Sequence, residues 1–485
     1  MSHEPDYSVQ ITKANDALSE LQPSWKTAEF TAADGIGPMD SLHQAGDALV
    51  AVAEFTDEGM IVLGSGVMVA PGILLTATHV LDAMRGDGPG PVFCTFLPTG
   101  MRAWLPIDVV TISGPSAFYH DRKVTSDLSL VSCTLNSEAH SDQPLMLAPM
   151  QVSLPLLGDR LWAMGFRHQH IGVGETYVTP FVSSGLVSAA YPNGRGERMA
   201  SPCFEVEMEV LGGMSGGAVV NDKGLLVGII SSSFDGAPSY VTLIWDALRL
   251  DVKAPIPKLA AHEKVSLFGA RSRNLAKIKG DVSRDPFGDV TFKLPDEEAE
   301  LFRKSMPPEL VDEARTRALN EEEQEAFEQE MGGELEDVAA RGALETLARL
   351  PLPRMRGFLE VSGVPVVCLD AITSFSVEDF EGVEDCEITF TERAENGQLR
   401  LEFYFDLRRF IWTVQAPAEL YRAHQEAFDT HFHNVEVDGA SVSMDIIQRC
   451  YFRAHVMYDP ASETFDDPVI TTTAVKRRRR ARSPA

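Results

Sequence analysis

The chain has 485 residues, of which 23% are charged, and its formal net charge is −29 at pH 7. It contains no run of about 18 apolar residues, and its first residues lack the basic and apolar regions of a signal peptide. These features exclude an apolar membrane-spanning helix, and the negative charge disfavours general affinity for nucleic acid or anionic membranes. A chain of this length is expected to hold two or three domains.

The first chemically informative segment lies behind a predicted N-terminal arm of residues 1–40. Residues 61–69 are apolar, Pro71-Gly72 is typical of a turn, and residues 73–77 are apolar again, so two strands are predicted. His79 follows the second strand. A lone histidine in such a place is commonly structural, so its role depends on finding partners.

Several aspartates downstream of His79 could orient an imidazole, and Asp127 is preferred among them. It opens the apolar run 128–133, which predicts a buried strand, and a carboxylate at that boundary could reach an interior histidine. The alternative is that Asp127 only ends the loop that follows Lys123.

Ser215 lies in the segment 212–217, which reads Gly-Gly-Met-Ser-Gly-Gly, between predicted strands at 204–210 and 225–231. Such a segment could be an ordinary flexible turn. A serine hydroxyl becomes a nucleophile when an imidazole takes its proton and a carboxylate holds the imidazole. The glycines would also let the backbone turn its N–H groups toward a developing oxyanion.

The chain order His79, Asp127, Ser215 resembles that of the chymotrypsin clan, and the sequence is similar to trypsin-like serine peptidases. The resemblance implies an all-β double six-stranded barrel over residues 41–255 and a triad made of these three residues. It implies an oxyanion hole formed by the backbone N–H groups of Gly213 and Ser215. One wall of the substrate-binding pocket would be formed by Ser231, Ser232 and Ser233.

Two departures from the secreted members of that clan concern control and compartment. Met214 stands where those enzymes carry the aspartate that pairs with a newly cut N-terminus, so activation by that ion pair is not expected. The cysteines form neither a CxxC pair nor the disulfide framework of the clan, which favours reduced thiols and a cytoplasmic location. The cysteines are Cys94, Cys133, Cys203, Cys368, Cys386 and Cys450.

Substrate preference stays open at this point. Glu209 lies close to where the clan places a charged pocket floor, which would favour cleavage after Lys or Arg. However, Glu205, Glu207 and Glu209 alternate with apolar residues, as in a strand with one solvated face.

Beyond residue 255 the sequence predicts a linker at 256–293 and an acidic helical segment at 294–350, with Gly332-Gly333 as a break between helices. The acidic residues predict either a solvated surface or a docking surface for a basic partner. Residues 351–475 predict an α+β accessory domain, with a hairpin at 395–397 and a helix at 417–428. Its strands are predicted at 364–369, 387–392, 399–405, 410–414 and 469–473.

The C-terminal tail, 476–485, is strongly basic and is expected to be a solvated end, although it could bind RNA, DNA or an acidic protein face. His424, His431 and His433 lie close together, but no cysteine or acidic residue completes a convincing ligand set, so we expect no metal and no cofactor.

The sequence therefore predicts an intracellular serine endopeptidase that cleaves protein or peptide substrates through an acyl-enzyme. The C-terminal region would recruit substrate or regulate activity, with a regulatory protein as its partner. The alternative is a catalytically silent peptidase fold that binds or senses a ligand. A nucleic-acid-triggered effector is a third hypothesis, which rests on the basic tail alone.

Overall fold

The computed structural model divides the chain into two compact units, Met1–Arg284 with Val290–Val311, and Asp285–Asp289 with Asp312–Ala485. Most of the predicted N-terminal arm and the whole basic tail lie outside the residues that the structure describes. Those residues are 18, 21–25, 35–39, 45–56, 58–84, 90–98, 100–115, 123–172, 178–191, 194–195, 199, 201–233, 238–256, 264–305, 318–394 and 396–475.

The first unit contains two closed six-stranded antiparallel barrels, as the sequence predicted. The strands of the first barrel are β1 Leu49–Thr56, β2 Gly59–Ala70, β3 Ile73–Ala77, β4 Pro91–Leu97, β5 Gly100–Pro115 and β6 Lys123–Leu135. Each strand is rich in β-branched and apolar residues, which pack on a pleated, half-buried surface. Neighbouring strands follow the order β2-β1-β4-β5-β6-β3, and β3 returns to pair with β2.

The strands of the second barrel are β7 Arg160–Phe166, β8 Pro180–Tyr191, β9 Cys203–Val206, β10 Ala218–Val220, β11 Leu226–Ser233 and β12 Ser239–Leu243. They repeat this closure with the order β10-β7-β8-β9-β12-β11, and β11 pairs back with β10. Closing a sheet on itself gives its first and last strands a partner, which removes a common route to aggregation.

Part of the stretch predicted to be a linker belongs to the first unit. The strand Ile278–Lys279 pairs with Met150–Gln151, and Leu267 and Ala270 of the helix Leu267–Arg271 are buried in the same core as the barrels. The first unit therefore continues past residue 255, while the remaining boundaries of the predicted segments stay predictions.

A fully buried ion pair fixes the segment between the barrels. Arg102 on β5 binds Asp47 with Nη1 to Oδ2 at 2.6 Å, and neither side chain is exposed. The guanidinium also donates to the carbonyl oxygens of Ala139, His140 and Gln143. Because its charge is paired and its other donors are satisfied, Arg102 can be buried while it holds the inter-barrel segment to the first barrel.

The second unit begins with a long helix, Glu321–Ala348, capped by Asn320 and Glu323 in a reciprocal capping box. The predicted break at Gly332-Gly333 is wrong, since the helix runs through both glycines. Met331, Leu335 and Val338 lie on one face and are buried in the core of this unit. Their packing outweighs the roughly 1 kcal/mol that each glycine costs in a helix interior.

The rest of the second unit is an antiparallel sheet with short helices, in agreement with the predicted α+β class. The segments predicted as strands at 399–405 and 410–414 form one long strand with an irregularity between Leu407 and Phe410. The strands are Ser374–Asp379, Gly382–Arg393, Leu399–Pro417, His433–Asp438, Ser441–Asp459, Thr464–Phe465 and Val469–Val475, and the short helices are Leu352–Val361, Val366–Ala371, Ala418–Ala423 and Gln425–His431.

Two predicted elements of this unit differ in the structure. The predicted strand at 364–369 is wrong, because the helix Val366–Ala371 occupies most of it. Pro365 is the N-cap of this helix, and its carbonyl accepts from the N–H groups of Cys368 and Leu369. The predicted helix at 417–428 is divided into two short helices at His424, where the backbone leaves the helical conformation.

The strand Gly382–Arg393 is covered along one edge by the long helix. Gln324 Nε2 donates to the carbonyl of Ile388 at 2.8 Å, and the N–H of Ile388 donates to Glu328 Oε1 at 3.1 Å. The two side chains thus satisfy backbone groups that another strand could otherwise pair with.

Candidate active site

His79 and Asp127 meet at the end of two paired strands. His79 lies in the short helix Thr78–Asp82 directly after β3, and Ala77 of β3 pairs with Leu128 of β6. His79 Nδ1 lies 2.9 Å from Asp127 Oδ1 and 3.0 Å from Oδ2, and the backbone N–H of His79 donates to Oδ1 at 3.1 Å. The carboxylate therefore fixes both the ring and the backbone of the histidine.

The charge of Asp127 controls the imidazole. The hydrogen bond to Asp127 raises the pKa of His79 above its ordinary value, while burial of the ring acts in the opposite direction. The charges of Asp127 and Asp82 add smaller contributions that also raise the pKa. The pair thus stabilises the imidazolium that forms when His79 accepts a proton.

Asp127 is itself held by two serines. The hydroxyl of Ser231 donates to Asp127 Oδ2, and the N–H of Asp127 donates to Ser201 Oγ at 2.8 Å. Ser231 is fully buried, so its side chain serves the carboxylate. The role of the 231–233 backbone toward substrate stays a prediction, and the side chains of Ser232 and Ser233 lie outside the described part of the structure.

The turn that carries Ser215 packs closely against the strand that leads to His79. Gly216 has φ +81°, and a Cβ there would overlap the carbonyl of Ser65 and lie 2.7 Å from the N of Ala77. Only glycine permits this approach without displacement of the backbone. The sequence at 216 therefore brings Ser215 beside the segment that ends in His79.

Ser65, on β2, is the centre of the contacts between this turn and the rest of the unit. Its N–H donates to the carbonyl of Ser215 at 2.8 Å, and its hydroxyl donates to the carbonyl of Gly213 at 2.8 Å. The hydroxyl also accepts from the N–H of Phe166, at the end of β7. One buried serine thereby joins a strand of each barrel to the turn.

The backbone at Gly213 has the orientation expected of an anion-binding site. The carbonyl of Gly212 accepts from the N–H of His168 at 2.7 Å, and because a trans peptide directs its N–H and C=O to opposite sides, the N–H of Gly213 points away from His168. Within the described residues, neither this N–H nor that of Ser215 donates to another group of the chain. Both donors are therefore available to an external oxyanion.

Ser215 Oγ makes no hydrogen bond to His79 in the described part of the structure, although the two segments are neighbours. Such bonds are often long without substrate and shorten in the complex. Met214 is buried in the core of the first unit, in keeping with the absence of a carboxylate at that position.

The acidic residues considered for substrate preference have different environments. Glu209 is exposed beyond the end of β9, which stops at Val206. Glu205, by contrast, binds Arg195 at 3.0 Å and accepts from Tyr240 Oη at 2.7 Å. Glu205 is therefore committed to structural partners, whereas Glu209 remains open to solvent.

Sequence reasoning did not identify Ser65, His168 or Ser201. The one available signal was Gly64-Ser65-Gly66, where small residues inside a strand indicate close approach of another backbone. His168 and Ser201 act through contacts between residues far apart in the chain, which leave no local pattern.

Two kinds of feature are absent from the described residues. None of the helices there is long and apolar enough to cross a bilayer. No group of three or more His, Cys, Asp or Glu in the same residues could hold a metal ion. All six cysteines are free thiols.

Part of the chain is similar to proteins of known family or structure. Residues 64–229 match the family described as the trypsin-like peptidase domain. Among solved structures, the chain is similar to a serine endoprotease from Yersinia pestis, with 21% identity, a TM-score of 0.27, and coverage of 41% of this chain and 59% of the other. It is also similar to the MamO protease domain from Magnetospirillum magneticum, with 17% identity, a TM-score of 0.29, and coverage of 42% and 95%. No curated protein matches the sequence.

We predict that Asp127→Asn lowers the pKa of His79 to or below its ordinary value, because the largest cause of the upward shift is lost while the effect of burial remains. An NMR titration of the His79 ring protons measures the change. Asp82→Asn is the matched control and should lower the pKa less, since Asp82 acts through its charge alone. A fall in Asp82→Asn that equals or exceeds that in Asp127→Asn would contradict this assignment.

Proposed function

We propose that this chain, which contains a trypsin-like peptidase domain, is a serine endopeptidase of the cytoplasm, where its free thiols would stay reduced. Ser215 attacks the scissile carbonyl, His79 accepts the proton and later returns it to the leaving amine, and Asp127 holds the imidazolium. Water then hydrolyses the acyl-enzyme. The proposal needs no cofactor.

The observation that carries the proposal is the bifurcated contact of His79 Nδ1 with both carboxylate oxygens of Asp127, beside a turn in which the N–H groups of Gly213 and Ser215 have no partner among the described residues. A satisfied structural histidine would not require a glycine turn packed against its strand. Acyl transfer requires a base, a group that orients it and an oxyanion site, and the proposal assigns these roles to His79, Asp127 and the N–H groups of Gly213 and Ser215.

The contact with Asp127 also sets the direction of the pH dependence. His79 must be neutral to accept the proton of Ser215, and its raised pKa moves the neutral form to higher pH. The value of kcat/KM should therefore rise as pH increases through the pKa of His79.

For substrate binding, we propose that the backbone of Ser231, Ser232 and Ser233 pairs with the substrate chain along β11. The residue that the enzyme prefers before the cleaved bond depends on the role of Glu209, for which there are two interpretations. An exposed Glu209 suits a basic side chain, but a solvated carboxylate at the end of a strand needs no substrate to explain it.

A specific observation favours a second function, a silent peptidase fold that binds a ligand without turnover. Ser215 Oγ and His79 are not hydrogen-bonded in the described structure. The two functions differ in whether Ser215 can be acylated, which chemical labelling measures directly.

We predict that a fluorophosphonate probe labels the full-length protein and that Ser215→Ala abolishes the labelling, because the probe reacts with an activated serine hydroxyl. Cleavage of a peptide library, mapped by mass spectrometry with Ser215→Ala as the blank, would define the preferred residues, and Glu209→Gln would test the basic preference. Wild-type protein that resists the probe in every state tested would favour the silent module.

We predict that Gly213→Ala lowers kcat by roughly 100-fold to 1,000-fold, because a Cβ would force the backbone to turn its N–H away from the oxyanion, with the effect of losing one donor. Gly213 has φ +98°, and a Cβ there would overlap the backbone N of His168. Gly212→Ala is the matched control, because the nearest atom to its Cβ would be His168 Nδ1 at 3.8 Å. Equal loss of activity in both variants would argue against an oxyanion role for Gly213.

We further propose that the second unit recruits protein substrates through its acidic helix. Neutralising the exposed Glu322, Glu325 and Glu330 to Gln should raise KM severalfold for a basic protein substrate and leave cleavage of a short neutral peptide unchanged, because only the protein would reach the helix. Kinetics of the full-length variant with both substrates measure the difference. Unchanged KM for the protein would remove this role.

A further inference from the structure

A second buried carboxylate lies close to the triad, on the short 3-10 helix Ile244–Arg249 that follows β12. Asp246 is 8% exposed, and its carboxylate accepts a hydrogen bond from the hydroxyl of Ser126, the residue before Asp127. Its Oδ2 atom is buried without a hydrogen-bond partner in the described part of the chain. A buried carboxylate that is only partly satisfied is unfavourable for folding, so its presence calls for an explanation.

The hydrogen bonds around Asp246 form a directional chain that ends at the backbone of Asp127. Ser126 Oγ accepts from the N–H of Leu128 at 3.2 Å and from the hydroxyl of Ser201 at 3.5 Å. These two donors use both lone pairs of the oxygen, so the hydrogen of the Ser126 hydroxyl is left to donate to Asp246. Ser201 Oγ then has its lone pairs free to accept the N–H of Asp127 at 2.8 Å.

The same segment is also held through Thr78, the residue before His79. Its hydroxyl lies within hydrogen-bond distance of the carbonyl of Ser126, at 3.1 Å, and of Ser129 Oγ, at 3.0 Å. The strand that carries the acid and the helix that carries the base are therefore joined behind the catalytic pair. A shift of Ser126 would move both.

We propose that Asp246, acting through Ser126 and Ser201, is a positioning residue for the triad: it fixes the donor direction of both hydroxyls and so holds the backbone of Asp127 in the orientation that binds His79. This inference rests on the proposed function for its catalytic consequence. Burial raises the pKa of Asp246, while the hydrogen bond from Ser126 and the charge of Arg249 partly oppose the rise.

The test is the pKa of His79, measured by NMR in the full-length protein, with kcat and KM as a second readout. Asp246→Ala and Ser201→Ala should both lower the pKa of His79, because a less well-held Asp127 bonds the ring more weakly. Both should lower kcat about fivefold to tenfold with KM unchanged, since neither residue touches substrate. Asp246→Asn and Ser201→Thr keep an acceptor and a hydroxyl, respectively, and should restore most of both values.

Ser132→Ala is the matched control. Ser132 lies on β6 like Asp127, is buried, and its hydroxyl has no partner among the described residues. Its removal should leave the pKa of His79 unchanged. If an alanine variant does not fold, Asp246→Asn and Ser201→Thr carry the test, because loss of the His79 shift in these folded, conservative variants would also contradict the proposal.

The outcomes separate this inference from the proposed function. A His79 pKa that is the same in Asp246→Ala, Ser201→Ala and wild type overturns the positioning role, whatever the protein cleaves. A shift in Ser201→Ala alone overturns the role of Asp246. Wild-type protein that no fluorophosphonate labels contradicts the peptidase function, while the titration of His79 still decides whether Asp246 positions Asp127.

Discussion

The candidate active site depends on the close approach of the glycine turn to Ser65. Gly216 lies against the carbonyl of Ser65, and the N–H and hydroxyl of Ser65 bind the carbonyls of Ser215 and Gly213. Because these bonds use the backbone of the turn, the position of Ser215 is set by a strand of the other barrel. The candidate site therefore depends on contacts between the barrels, and neither barrel forms it alone.

The carboxylates of the first unit show three ways in which a protein uses a partly or fully buried negative charge. Asp47 is paired with Arg102 and satisfied on both oxygens, which makes it structural. Asp127 is half-buried beside a titratable ring, so its charge controls a proton. Asp246 accepts from the hydroxyl of Ser126, and in its proposed role it holds Asp127 through Ser201.

Apolar runs predicted the strands around the candidate site, and the resemblance to trypsin-like peptidases implied the two barrels that the structure contains. His79 and Ser215 stand beside strands that apolar runs predicted, and Asp127 lies within one. The sequence could not predict that the side chain of Ser231 binds Asp127, nor that Ser65, Ser201 and Asp246 take part, because serine and aspartate are common and their contacts join distant segments. Two local predictions failed for different reasons. At Gly332-Gly333 the buried face of the helix outweighs the preference of glycine for a break. At 364–369 Pro365 is the N-cap of the helix Val366–Ala371, where a strand was predicted.

The hydrogen bonds between Ile388 and the side chains of Gln324 and Glu328 give the acidic helix a second role. An uncovered strand edge is a template on which another chain can add, and here two side chains of a charged helix occupy it. Glu328, one of the carboxylates that make the chain anionic, therefore also occupies this part of the strand edge together with Gln324. Local unfolding of the helix would remove both partners of Ile388 and leave its N–H and carbonyl open to another strand.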